Sequence, residues 1–344
     1  MELISLLVTA ITTEAFDTKS FVLKPVGNHD VTYEPGQFLT LVFSATVDAR
    51  RSYSISSASF LGEPLTITVK RIDNGAFSRF LFDTCKVGDT LQSIGVSGFF
   101  LLPKPVESHQ QFFFLAAGSG ITPVLPMIKT LLHQTSNTIY LLYSNKSEET
   151  IVFKSALQSL KRDFPSRFHV TWLNSNSKNL LQARLTKIFL TDFVKQHVNI
   201  EKSSALFYLC GPKDYMQMAT ITLLTTGIPS ANIRKEIFDT TKVNVRELPP
   251  DTDAHYVTLI QNGKRYKFTA QYPETILVAA KREGLILPYS CEAGKCGTCA
   301  ATCSSGRVWM SYNEVLVERE LQKGRVLTCT GYAVAGDVTI DYDA

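Results

Sequence analysis

The sequence predicts a chain of three modules: an antiparallel β-barrel, an open α/β parallel sheet and a small α+β module. Three observations carry this. Short alternating apolar runs fill residues 1–104, and near-continuous apolar runs separated by helical stretches fill 105–243. Five of the seven cysteines then crowd between 291 and 329. At 344 residues and 44% apolar, the chain has material for two or three cores.

In the first module GQFLTLVF (36–43) and PLTITVK (64–70) alternate with period two between Gly and Pro breaks, the mark of antiparallel strands in a small barrel. The stretch GAFSRFLFDTC (75–85) departs from that pattern, with helical spacing of Phe77, Phe80 and Leu81. In the second module QFFFLAAG (111–118) is apolar almost throughout, as a parallel strand buried on both faces must be. A helical stretch through Met127 and Leu131, a strand at TIYLLYS (138–144) and a later strand in ALFYLCGP (205–212) continue the α/β alternation.

A Pro-rich polar stretch marks a linker at 244–252. The third module, 253–344, opens with two alternating runs around Asn262-Gly263, a two-residue hairpin signal. TILVAAKREG (275–284) then reads as a short helix ending at Gly284.

The cysteines follow. Cys291, Cys296, Cys299 and Cys329 give C-x4-C-x2-C-x29-C, the plant-type [2Fe–2S] spacing. Ala293, Gly294 and Gly297 keep the loop bare, so that backbone N–H groups can reach sulfur and favour added negative charge. Four-cysteine zinc sites usually show two short pairs, whereas here a triplet and a singleton occur. Cys303 is the other conceivable ligand. It lies on a strand leading away from the triplet and reads as a core thiol, as does Cys85.

The motif CEAGKCGTCAATCSSGRV with RVLTCTGYA (325–333) closely resembles plant-type ferredoxin domains, which implies a β-grasp fold for 253–344. RSYSISS (51–57) resembles the R-x-Y-S flavin motif of the ferredoxin–NADP reductase superfamily. The resemblance implies an FAD domain over 1–104, with Arg51 for the pyrophosphate, Tyr53 for the isoalloxazine face, and Ser52 and Ser54 beside them. VKRIDNGAFS (69–78) resembles that family's second flavin segment, placing Val69, Lys70, Gly75 and Ser78 at the cofactor. Either stretch alone would pass for ordinary strand and capped helix. FAD is expected over FMN because the pyrophosphate elements are present.

AAGSGITP (116–123) lacks the third glycine of a Rossmann fingerprint. It resembles instead the G-x-G-x-T-P of the reductases' nicotinamide domain, which implies roles for Gly118, Gly120, Thr122 and Pro123, with Pro123 opening a helix at its first position. CGP (210–212) and KEIFD (235–239) match the family's later nicotinamide segments. Cys210, Gly211, Pro212 and Glu236 would then line the nicotinamide side, with Phe238 covering the flavin. Ser144, Lys146 and Ser147, in YSNKSEET, could meet a ribose 2′-phosphate, so NADPH is expected over NADH.

Net charge is +4, with no block of like charges and no apolar stretch of membrane-spanning length. Nucleic-acid binding and membrane insertion are therefore not expected, nor is a signal peptide, and a cytoplasmic location is. The third module has ten basic and ten acidic residues, so a strongly acidic docking face is not expected. The module order resembles reductase components of bacterial oxygenase systems. It implies electrons passing from NAD(P)H through FAD and a [2Fe–2S] cluster to a separate di-iron or Rieske oxygenase. A stand-alone NAD(P)H:acceptor reductase and a redox-sensing iron–sulfur protein are the alternatives.

Overall fold

The computed structural model describes residues 3–27, 30–44, 49–106, 111–179, 183–242 and 247–344. Two compact units emerge: Leu3–Val96 with Phe100–Ile237, and Phe238–Ala344 with Ser97–Phe99.

The first unit holds two sheets. Strands β1 (Ile4–Ala15), β2 (Thr18–Pro25), β3 (Phe38–Ser44), β4 (Ala49–Ser54), β5 (Thr66–Lys70) and β6 (Thr90–Ser97) lie in the order β4-β3-β6-β1-β2-β5. The pairings β1–β2, β1–β6, β2–β5 and β3–β4 are antiparallel. Ile55, just past β4, bridges Ile67 of β5, and the Ser56 N–H donates to the Thr66 carbonyl at 2.9 Å. The edge strands thus meet, and the sheet closes around Leu6, Val8, Phe21, Leu39, Leu41 and Ile67.

The expected helix near 76–84 is one α-turn, α1 (Ala76–Arg79), running into a π-turn at Phe80–Thr84. That change of winding breaks the 3.6 spacing. Leu81 enters the core, Phe77 packs tilted against Phe43 with ring centroids 4.3 Å apart, and Phe80 is 42% exposed, contrary to the helical reading.

Strands β7 (Gln111–Ala117), β8 (Thr138–Asn145), β9 (Phe168–Asn174), β10 (Ala205–Cys210) and β11 (Ile233–Glu236) form a parallel sheet in the order β11-β10-β7-β8-β9. Phe112 and Phe114 pack on one face and Phe113 on the other, all fully buried. Each such ring contributes about 1.5–3 kcal/mol. The chain leaves β7 towards β8 and later returns to pair β10 on β7's other side, so the switch point lies at the C-terminal end of β7. Helices α2 (Ile121–Gln134), α3 (Lys154–Asp163), α4 (Lys187–His197) and α5 (Lys213–Thr225) accompany the sheet. Pro123 is the third residue of α2, not the first. It is tolerated there because the first-turn N–H groups have no intrahelical acceptor.

In the second unit, β12 (His255–Gln261), β13 (Lys264–Ala270), β14 (Ala300–Met310), β15 (Arg325–Leu327) and β16 (Gly331–Asp341) take the order β13-β12-β16-β14-β15. β12 and β16 run parallel, and α6 (Ile276–Arg282) buries Ile276, Leu277, Ala279 and Ala280 in the module's core. A second short helix, α7, spans Glu318–Gln322. Asn262 and Gly263 both have positive φ, as a two-residue hairpin of primed type requires. Asp343 accepts both of their N–H groups, at 2.7 and 2.8 Å. Of the expected linker, 244–246 lie outside the described residues. Asp251 is engaged with this module, accepting from the Ala335 N–H at 2.7 Å.

Candidate functional site

Around β4 the flavin-motif residues divide by exposure. Arg51 is exposed, with its guanidinium over the Phe77 ring at 5.0 Å and donating to the Arg50 carbonyl at 2.7 Å. Ser52 meets Thr40 at 2.9 Å, hydroxyl to hydroxyl. Tyr53 is half-buried, and burial raises its phenol pKa despite the nearby Arg51. Ser54 is buried at 4% exposure and its Oγ has no protein partner. The neighbouring buried hydroxyls are engaged: Thr68 meets Ser56 at 2.7 Å and Ser20 at 2.8 Å. A buried hydroxyl left unpaired costs stability, and among the described barrel residues it is the one such side chain, which points to an external partner.

On β5, Val69 is fully buried and Lys70 pairs with Asp17 at 3.3 Å. Gly75 is the N-cap of α1. The Ser78 hydroxyl is taken up locally, accepting from the Ile72 N–H and donating to the Gly75 carbonyl. Ser78 therefore shapes the turn and does not cap it.

The nucleotide segments interlock at the switch point. A Cβ on Gly120 would lie 2.0 Å from the Cys210 carbonyl oxygen, so the loop after β7 and the end of β10 touch backbone to backbone. Gly211 packs closely on the Ala117 side chain, with its Cβ position 2.9 Å from that methyl. A β-carbon built on Gly118 would lie 3.9 Å from Lys70 Nζ, which brings the barrel's second flavin segment to the sheet's first loop. Thr122 donates to the Ser119 carbonyl at 2.9 Å, and Pro212 caps α5.

Glu236 ends β11, paired in register with Cys210. Burial raises its carboxyl pKa to about 8, and burial keeps the Cys210 thiol protonated. Ser144 pairs in register with Ala117, while Lys146 is exposed beyond β8. Ser147 caps the turn that follows, with Thr150 donating to its carbonyl. Phe238 is 44% exposed and belongs to the second unit. Two supports escaped sequence reasoning. Tyr143 donates to the Gly118 carbonyl at 3.0 Å, and Tyr215 to the Ala116 carbonyl at 3.4 Å. Neither has a role in a motif; Tyr143 is fully buried and Tyr215 half-buried, and each hydroxyl finds a backbone acceptor.

In the second unit the four cysteines face one another in pairs. The Cys291 thiol accepts a hydrogen bond from Cys296, which brings it down to about 6, aided by backbone N–H groups and opposed by burial. Cys296 is raised as that donor, and Cys299 is raised by its contact with Cys329 and by burial. The Ala293 N–H donates to Cys291 Sγ at 3.4 Å, as the bare loop predicts. Gly294 and Gly297 have positive φ, and side chains there would meet the Tyr312 carbonyl and the Phe99 ring, both at 2.6 Å. Among the described residues no three His, Cys, Asp or Glu side chains converge as a single ion requires. Two facing thiol pairs fit a two-iron cluster better than a lone tetrahedral zinc. Cys303 lies on β14, half-buried, with its thiol donating to the Ser305 carbonyl, and Cys85 is buried.

A closing barrel with an orphaned hydroxyl, a parallel sheet interlocked at its switch point and a thiol-lined loop together define a modular flavin and iron–sulfur reductase. Family models agree. The oxidoreductase FAD-binding domain matches residues 5–101, the oxidoreductase NAD-binding domain 114–220, and the 2Fe-2S iron-sulfur cluster binding domain 259–334. The chain is 31% identical over 351 aligned residues to the ferredoxin reductase component of 3-ketosteroid-9-alpha-monooxygenase from Rhodococcus rhodochrous, covering 98% of this chain and 96% of the relative. It is 33% identical over 319 residues to one of the polypeptides that make up 1,2-phenylacetyl-CoA epoxidase in Escherichia coli K12, covering 91% and 89%. The solved structure of phthalate dioxygenase reductase shares the fold, with a TM-score of 0.61 at 24% identity and 98% of each chain covered.

The chain belongs to the ferredoxin–NADP reductase superfamily, in the branch that carries FAD, NAD and [2Fe–2S] domains together. It is an NAD(P)H-dependent flavin and iron–sulfur oxidoreductase. No helix among the described residues is long and apolar enough to cross a membrane.

Proposed function

We propose that the protein is the reductase component of an oxygenase system, taking electrons from NADPH in preference to NADH and handing them to a separate oxygenase. The observation that carries this is the pairing, in one chain, of an interlocked nucleotide switch point with four cysteines, three on one loop and one beyond it, whose thiols face in pairs. The roles of the relatives, as reductase components of monooxygenases, support the choice of acceptor.

When bound, FAD takes a hydride and returns its two electrons singly, and the cluster carries one electron at a time. The chain's own residues would do the rest. Arg51 would hold the pyrophosphate, with Gly75 and the first turn of α1 beside it. Tyr53 would lie on the ring system, Ser52, Val69 and Lys70 would border it, and the unpaired Ser54 Oγ would hydrogen-bond its edge. Ser78 would keep the α1 turn in shape. Gly118, Gly120, Gly211 and Pro212 would let the nicotinamide approach the backbone, with Thr122 and Pro123 holding the start of α2. Cys210 and Glu236, both protonated at neutral pH, would border the hydride path without adding charge to it. Phe238 would cover the flavin face until nicotinamide displaces it. Ser144 and Lys146 would face the 2′-phosphate. Cys291 and Cys296 would hold one iron, Cys299 and Cys329 the other.

The neutral charge balance of residues 253–344 implies weak partner contact with modest salt dependence. The test is an anaerobic visible titration with NADPH and then NADH. Flavin and ferredoxin-type bands bleaching together, at about three electrons per chain, are expected. No flavin band would overturn the reading; a steeper response to NADH would overturn only the nucleotide preference.

A further inference from the structure

Lys295 sits inside the cysteine loop, directly before Cys296, with a side chain only 4% exposed. Its ammonium donates to Asp239 Oδ2 at 2.9 Å and to the Thr241 carbonyl at 2.8 Å. Asp239 is fixed in turn: its other oxygen accepts the Thr241 N–H at 2.9 Å, and its carboxyl is held ionised by the Thr241 hydroxyl and by Lys295. Three residues on, Lys242 pairs with Glu292 at 3.3 Å, and Glu292 also takes Lys281 of α6. The segment Asp239–Lys242 is thus clasped to the first half of the cysteine loop by two ion pairs of opposite polarity. It follows directly on Phe238 in the chain.

A loop that needed only mechanical attachment would not have to bury an ammonium, because removing a charge from water is costly even when it is paired. What an ammonium adds is field. A cation beside an anionic centre in a low-dielectric surround favours the state with one more electron, and the adjacent carboxylate limits that effect.

We propose that Lys295 is a positioning residue that also sets the driving force for electron transfer, its charge favouring the reduced cluster and Asp239 moderating it. The inference rests on the cluster assignment above. Lys295 lies within the cysteine motif and Asp239 ends KEIFD, yet neither motif assigns them a role: the pair joins positions 56 apart in sequence, and only the fold brings them together.

The test uses full-length holoprotein and the cluster's midpoint potential, followed by visible and electron paramagnetic resonance spectra. The variants are K295M, D239N, the double variant and K295R. K295M leaves Asp239 unopposed and shifts the one-electron equilibrium towards the oxidised cluster by about tenfold, or about 59 mV. D239N leaves the ammonium unopposed and shifts it the other way. The double variant returns to within about threefold of wild type, and K295R keeps the wild-type potential. A merely structural tie predicts shifts of the same sign, or loss of cluster, in both single variants. Either result overturns the proposal, as does an unchanged potential at full cluster occupancy. Should K295M fail to hold cluster, the sign of the D239N shift decides. If wild-type protein shows no ferredoxin-type spectrum, it is the cluster assignment that fails, and the proposal with it.

Discussion

Glu236 is the carboxyl whose burial has the largest consequence for the flavin and nucleotide unit. Its pKa rises from 4.5 to about 8 because burial disfavours the charged form. Between those values the folded state holds one proton that the unfolded chain has released. Stability therefore falls as pH rises across that window, and this contribution is flat below it and above it. One proton amounts to about 1.4 kcal/mol per pH unit, so the full window is worth at most about 5 kcal/mol. For a unit of this size 1 kcal/mol moves the Tm by about 2–4 °C, giving a slope of about 3–5 °C per pH unit from this residue alone. Glu236→Gln removes the titration. Calorimetric scans of both proteins from pH 5.5 to 7.5 should show the variant gaining on wild type as pH rises, whatever its offset at the acid end. A difference in Tm that stays constant across the range would refute the reasoning, because it would mean that Glu236 is ionised in the folded protein.

Three further outcomes are expected. Replacing Cys296 or Cys329 by Ser removes the ferredoxin-type absorption and the reduction of cytochrome c, while ferricyanide reduction through the flavin continues. Ser54→Ala leaves the unfolding midpoint unchanged or slightly raised, since it deletes an unpaired buried hydroxyl, yet slows flavin reduction in stopped-flow about tenfold or more. Gly120→Ala drives a β-carbon into the Cys210 carbonyl and costs about 1–3 kcal/mol in urea unfolding, with weakened nucleotide binding.

The parts legible in the sequence were those whose chemistry is local. Asn262-Gly263 demands its turn whatever surrounds it, and the apolar run at Gln111–Ala117 fits only a strand covered on both sides. The cysteine spacing pointed to the cluster domain because three cysteines lie on one short loop. Local reasoning failed where winding or distance intervened. The π-turn at Phe80–Thr84 carried Phe80 outward, since a periodicity argument assumes a constant helix. Pro123 moved two places into α2 because proline is admissible throughout the first turn, so its presence cannot mark a first residue. Ser78 was expected at the cofactor, and its hydroxyl is taken up within its own loop by Ile72 and Gly75, a pairing that no sequence motif records. Tyr143, Tyr215 and the Lys295–Asp239 pair were illegible because their partners are far along the chain.

The contact between Gly120 and the Cys210 carbonyl has a consequence for how such a chain can drift through generations. Position 120 offers no side chain to any chemistry, yet any replacement is penalised, since a wider residue would have to push the loop after β7 away from the end of β10. The exposed Lys146, a short way along the chain, is under no such constraint. A saturation library would therefore record a sparse column at 120 beside a crowded one at 146. Lineages could then vary freely at such a rim while the seam beneath stayed fixed.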